Sequence, residues 1–285
     1  MTTTHACHAP AWFADAIARE PELSALDVAG CRIHLRAWGA PDRPGLLLVH
    51  GGAAHGGWWD HIAPFFAGTH RVVALDLSGH GDSGHRAGYG IDTWSEEVVA
   101  AAGTLDRPVL VGHSLGGRVG AVAAARHPHK LGGLVLVDAP TWDGIDETDA
   151  IARSRRPHRV YATVAEALDR WATLPRQETT AALPYVERRI AAQSLRPAEG
   201  GWTWKFDPRV LGLASSVGDV SRRTCPAVLL RAEHGILDAE KVRAARDHLV
   251  VVDLPAAGHH PMLDQPLQLV AAIRAVLALM SVTVP

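Results

Sequence analysis

The residues with the clearest chemical potential in this chain lie in Gly112-His113-Ser114-Leu115-Gly116, a G-x-S-x-G pattern directly after the apolar run Val109 to Val111. In that pattern the serine sits on a sharp strand-to-helix turn with its hydroxyl presented for attack on a carbonyl carbon. Glycine is wanted at 112 and 116 because a side chain at either position would collide with the neighbouring strand or helix. A serine hydroxyl is far too weak an acid to react alone near neutrality, so the pattern demands a positioned base. A second signal lies upstream, in His50-Gly51-Gly52-Ala53-Ala54-His55-Gly56-Gly57. A glycine-rich loop after a strand can cradle phosphate, but neither a G-x-G-x-x-G register nor a G-K-[ST] ending is present. With a serine downstream, the favoured reading is a loop whose backbone N–H groups face an oxyanion.

These groups need a frame to bring them together. Apolar runs at Leu46–Val49, Arg71–Leu75, Val109–Val111, Leu134–Val137, Ala227–Leu230 and Leu249–Leu254 read as buried strands. Helical patterns stand between and after them. One covers Trp58–Phe66. Another opens at Asp92 with a Thr93-x-x-Glu96 capping box and ends near Gly103. Leu115–Arg126 is rich in Gly and Ala, so it can pack close to a sheet, and His127-Pro128 stops it. Two more lie at Asp238–Asp247 and Pro266–Met280. Ahead of the first buried strand, a short helix is expected at Trp12–Arg19 and a hairpin from Ala25–Val28 and Ile33–Trp38. There Ile33, Leu35 and Ala37 alternate with His34, Arg36 and Trp38, which predicts one wetter face.

Strand–helix alternation with crossover-length spacers predicts an α/β fold, a mainly parallel sheet with helices on both faces. Functional groups in such sheets gather at the carboxyl ends of the strands. Here those ends carry His50-Gly51-Gly52, Asp76, Ser114, Asp138 and Glu233, with His259 after the last strand. Between about 140 and 220 the alternation stops. Helical patterns at Val164–Ala172 and Tyr185–Gln193, broken by Pro175, Pro184 and Pro197, predict a helical insertion.

Bulk properties narrow the function. The 285 residues are 47% hydrophobic and 20% charged, with a formal net charge of −2, which gives no reason to expect nucleic acid or an anionic membrane as partner. The longest apolar stretch, Val270–Met280, is interrupted by Arg274 and is too short to span a bilayer. The N-terminus lacks the basic and apolar regions of a secretory signal. Cys7, Cys31 and Cys225 are scattered, so a reduced, cytoplasmic compartment is expected. The 17 histidines are dispersed without ligand spacing, and adjacent His259-His260 are poorly placed to share one ion. No metal or other cofactor is expected; the expected partner is a small-molecule substrate.

Taken together, His50-Gly51-Gly52, the turn Asp76-Leu77-Ser78-Gly79-His80-Gly81-Asp82-Ser83, the serine pattern with Gly117, and Gly258-His259 before the last helix resemble the α/β-hydrolase fold family over nearly the whole chain. The glycine-rich loop running into Trp58 resembles the branch of esterases and carbon–carbon bond hydrolases. The resemblance implies an eight-stranded sheet, a core at residues 1–139 and 221–285, and a helical cap at 140–220 inserted after strand six. It also implies cofactor-independent acyl transfer: Ser114 attacks, His259 relays the proton, and the backbone N–H groups of Gly52 and Leu115 hold the oxyanion. His260 is the lesser candidate for the base. The acid stays open. Where most of the family carries an aspartate after strand seven, this chain has Glu233-His234-Gly235, leaving Asp138 as the leading candidate, then Glu233 and Asp238. The implied substrate is a small apolar ester, thioester, lactone or activated carbon–carbon compound. A lyase, cyclase or cofactorless oxygenase on the same scaffold, or a weakly catalytic binding protein, are the rivals.

Overall fold

A computed structural model describes residues 9–140, 159–177, 179–211 and 223–283. In chain order its first half runs α1 (Ala11–Ile17), β1 (Glu22–Val28), β2 (Cys31–Trp38), β3 (Gly45–Val49), β4 (Arg71–Leu75), α2 (Ile91–Ala102), β5 (Val109–His113), α3 (Leu115–Arg126) and β6 (Gly133–Val137). Next come α4 (Val164–Leu168), α5 (Pro184–Gln193), β7 (Leu195–Ala198) and β8 (Gly201–Trp204). The chain closes with β9 (Ala227–His234), α6 (Ala239–Ala245), β10 (Val250–Gly258), α7 (Pro261–Asp264) and α8 (Pro266–Thr283).

Eight strands form one sheet in the order β1-β2-β4-β3-β5-β6-β9-β10. β1 and β2 pair antiparallel, as do β2 and β4; every other pairing is parallel. The central strands are apolar throughout because both faces are covered, and their side chains divide by the two-residue strand period. Leu46, Leu48, Val111, Val135 and Val137 point to one core, with Trp59, Ile62 and α8. Leu47, Val49, Leu110, Leu134 and Leu136 point to the other, with Trp94 of α2 and Val119 and Val122 of α3. The chain leaves β3 towards β4 on one side and returns to β5 on the other. That reversal opens a crevice at the carboxyl ends of β3 and β5, where an α/β sheet places its ligand.

Several local expectations change. Trp58–Phe66 is two 3-10 turns, Gly56–Trp59 and Ala63–Phe65, because Pro64 and the Gly56-Gly57 pair disfavour a continuous helix. Helix α2 begins at Ile91 after Gly90, so Thr93 lies inside the first turn and caps nothing. Strand β2 is wetter on the expected face only at Arg32 and Arg36. It is interior to the sheet, and His34 and Trp38 are as buried as Ile33 and Leu35. The segment between β6 and β9 is not purely helical: β7 and β8 form an antiparallel hairpin within it, bridged to Tyr161 through Trp202. Cys7 and Trp142 lie outside the described residues.

Candidate active site

Ser114 occupies the turn between β5 and α3 with φ 49 and ψ −117, a left-handed conformation that a side chain tolerates only at a cost of about 1–3 kcal/mol. The surroundings impose it. The Ser114 N–H is bound to Val137 O at 3.1 Å, and the Ser114 carbonyl accepts from Gly117 and Arg118. A Cβ at Gly112 would strike the Gly116 backbone, and one at Gly116 would strike the carbonyls of Val49 and His50. The elbow is therefore closed on both sides by backbone.

His259 reaches the serine from the loop after β10. Its Nε2 lies 3.1 Å from Ser114 Oγ, and its Nδ1 lies 2.7 Å from Asp138 Oδ2. Asp138 stands at the end of β6 with φ 42, fully buried. Its Oδ1 accepts from Ala232 N–H at 3.2 Å, and its Oδ2 also accepts from Ile236 N–H at 3.0 Å. These N–H donors fix the carboxylate in place. The carboxylate orients the His259 ring with Nδ1 as donor, so Nε2 has a lone pair for the serine proton.

The other candidates sit elsewhere. Glu233 is exposed and accepts from Ala256 N–H at 2.7 Å, tying β9 to β10. Asp238 caps α6 through the N–H groups of Glu240 and Lys241. The His260 Nε2–H donates to Pro175 O at 3.1 Å, and burial beside His259 pushes the His260 imidazole down to about 3.

Leu115 is the first residue of α3, and the leading N–H groups of a helix have no carbonyl partner within it. Gly52 lies opposite, in the turn after His50; a Cβ there would have only Leu115 Cδ2 in reach, at 3.9 Å. His50 braces this loop. Its Nδ1–H donates to Gly51 O at 2.7 Å, and its Nε2 accepts from Leu77 N–H at 3.0 Å. Asp76 supports it from the next strand end, taking N–H groups of Gly56 and Asp82.

A second serine–histidine pair lies nearby, with His55 Nε2 at 3.0 Å from Ser194 Oγ. Its polarity is reversed. His55 Nδ1 accepts from Gly57 N–H at 3.1 Å, so the proton is on Nε2 and donates to Ser194 Oγ, which in turn donates to Ile190 O at 2.8 Å. A base must offer a lone pair to the hydroxyl, and this one does not. The pair fastens the glycine-rich loop to α5.

Sequence reasoning missed one lock on the histidine loop. Gln177 Oε1 accepts from His260 N–H at 2.7 Å, while Gln177 Nε2–H and Gly258 N–H both donate to Asp264 Oδ2. Gln177 carries no motif and lies 83 residues from its partner, so nothing local marks it.

Two clusters have the donor types for a metal ion. His113, His259 and His260 each bring a ring nitrogen within 4.8 Å of the others, as do His34, Asp76 and Asp82 with one ligand atom each. Both nitrogens of His259 are already engaged, so an ion there would displace Ser114 or Asp138. Asp82 is paired with Lys205 at 2.7 Å, and Asp76 Oδ2 with His34 at 3.2 Å.

Beside Gly52 and Ala53 opens a cavity of about 300 Å³, walled by Trp58, Tyr161, Trp171, Leu174, Trp204 and Phe206. Trp59 is wholly within the core, whereas Trp58, also buried, lines the cavity. Trp202 packs instead against Tyr161 and Leu195. No helix among the described residues is long and apolar enough to cross a membrane.

Residues 46–273 match the Alpha/beta hydrolase family. An esterase of Mycobacterium tuberculosis is 29% identical over 90% of this chain and 89% of its own length. The pimeloyl-[acyl-carrier protein] methyl ester esterase of Aromatoleum aromaticum is 30% identical over 79% of this chain and 94% of its own. Among solved structures, the thioesterase domain from the curacin biosynthetic pathway superposes with a TM-score of 0.74 at 25% identity, covering 89% of this chain and 99% of that one.

Proposed function

Since this chain belongs to the alpha/beta hydrolase family and is a hydrolase, we propose that it is a cofactor-independent serine hydrolase cleaving an ester, thioester, lactone or activated carbon–carbon bond of a small, largely apolar substrate. The observation that carries the reading is the unbroken hydrogen-bonded line from Ser114 Oγ through the His259 ring to Asp138.

In this reading Ser114 Oγ attacks the carbonyl carbon while His259 Nε2 takes its proton. Asp138 holds the ring and stabilises the imidazolium that forms. The tetrahedral oxyanion is received by the N–H groups of Leu115 and Gly52, at the positive end of α3. His259 then gives its proton to the leaving group. Water, activated by the same imidazole, releases the acyl group and restores the serine. Residues 140–220 form the cap in this reading, over a core of 1–139 and 221–285. The aromatic wall of the cavity favours an apolar substrate. A cytoplasmic compartment accords with Cys31 and Cys225 being unpaired thiols.

The test is intact mass spectrometry after treatment with a fluorophosphonate, with peptide mapping. One adduct per chain, on Ser114 and lost in Ser114→Ala, is the expected result. An unlabelled Ser114 would sink the proposal.

A further inference from the structure

The cavity beside Gly52 is not uniformly apolar. Among its described lining residues are two arginines, Arg159 and Arg170, and no carboxylate. Arg159 is held in place, with Nη2 3.0 Å from Glu166 Oε1 and its guanidinium 5.3 Å over the Tyr161 ring. Glu166 Oε2 accepts from Ala162 N–H at 3.1 Å, so the carboxylate that pairs with Arg159 is also tied to the backbone. Arg170 stands just after α4, and its guanidinium has no carboxylate or other side-chain partner among the described residues. Among the described residues the lining therefore carries two exposed guanidinium groups, of which Arg159 alone is paired with a carboxylate. Low-dielectric aromatic walls focus the field of such charges and favour an anion at the mouth while rejecting a cation. The planar guanidinium fork suits a carboxylate or a phosphate. Apart from the hydroxyls of Thr173 and Ser194, the remaining side chains of the wall are rings and aliphatic carbon, which suit a methylene chain.

We propose that this cavity is an acyl- or carrier-binding subsite for an anionic substrate, in which Arg170, assisted by Arg159, holds a carboxylate or phosphate group remote from the bond that Ser114 attacks. The proposal rests on Ser114 as nucleophile, and it narrows the substrate to an apolar chain ending in an anion.

Two kinds of measurement separate the subsite from the chemistry. The first needs no turnover. Titration of tryptophan fluorescence in the full-length protein uses pairs of non-hydrolysable amides: ω-carboxylated against methyl-ended acyl chains of graded length, and 4′-phosphopantetheine against pantetheine amides. The carboxylate and phosphate arms identify the source of the anion. In at least one arm the anionic member is expected to bind about tenfold more tightly, with the advantage shrinking as ionic strength rises. Arg170→Gln should bring the ratio close to one, Arg159→Gln should lower it in part, and Arg170→Lys should retain some of it. The second measurement compares kcat/KM for the corresponding activated esters, where the same preference should appear chiefly in KM. Equal binding within every pair, or a preference that Arg170→Gln leaves intact, overturns the anionic subsite. Preserved binding preference without turnover of any ester supports the subsite and instead overturns the role of Ser114.

Discussion

Asp138 and Gly235 share one space. A Cβ on Gly235 would run into the Asp138 carboxylate, and the neighbouring Ile236 N–H donates to that carboxylate at 3.0 Å. The turn after β9 carries no side chain at this point, which leaves room for the carboxylate that arrives from β6. The absent aspartate and the glycine in its place are two sides of one arrangement. Gly235→Ala should therefore displace the carboxylate from His259 and lower kcat for an activated aryl ester by on the order of 10²-fold, with the far-UV circular dichroism unchanged. An alanine variant with full kcat would show that the acid does not depend on this packing.

Ser114→Ala and His259→Ala should each remove turnover, by about 10⁴-fold or more in kcat, with the thermal transition retained. Asp138→Asn should cost about 10⁴-fold as well, because the amide misaligns the histidine tautomer. Glu233→Gln should cost little, since Glu233 supports the backbone of Ala256 and faces solvent. Steady-state kinetics on the four variants checks the assignment. A larger loss in Glu233→Gln than in Asp138→Asn would reverse it.

The His55–Ser194 contact is expected to behave as a fastening. Because His55 donates to Ser194, Ser194 is not activated, and a fluorophosphonate should leave it unmodified. Ser194→Ala removes two buried hydrogen bonds, each worth about 0.5–1.5 kcal/mol, which should lower Tm by a few degrees. Peptide mapping and calorimetry read the two effects separately. Labelling at Ser194 would contradict the tautomer deduced from Gly57 N–H.

Stability should fall in acid earlier than carboxylates alone would dictate. Burial pushes His55, His80 and His260 down to about 3 and His61 down to about 4. Unfolded histidines take up protons near pH 6.5, whereas these buried ones stay neutral, so between pH 6.5 and about 4 the unfolded chain binds more protons. Stability is fully present above that window and is lost as pH falls through it, by up to about 1.4 kcal/mol per pH unit for each histidine. Asp207, held down to about 2 against its burial by Arg209, adds stability that is complete above the ordinary carboxylate range and is lost only as pH falls below it. Urea unfolding midpoints from pH 7.5 to 4.5 should decline steadily, and His61→Gln should flatten the slope. A midpoint constant over that range would contradict the burial of these rings as neutral species.

The sequence by itself marked the frame and the candidate nucleophile. Leu46–Val49, Val109–Val111 and Leu134–Val137 could only be strands covered on both faces, and Gly112 and Gly116 around Ser114 could only serve a crowded turn. Such features are local: they follow from side-chain period and from backbone clearance within a few residues. What tertiary structure decided was pairing across long separations. Asp138 meets His259 over 121 residues, and Gln177 meets His260 over 83. His50 and Asp76 become supports because β3 and β4 run side by side. The segment between β6 and β9 was least legible, and its hairpin went unread, because its short elements are stabilised by packing against the core and one another. A hydrogen bond between distant loops leaves no periodic trace in either one, so the contact of Asp138, and not Glu233, with His259 was legible only in three dimensions, through the space that Gly235 leaves open.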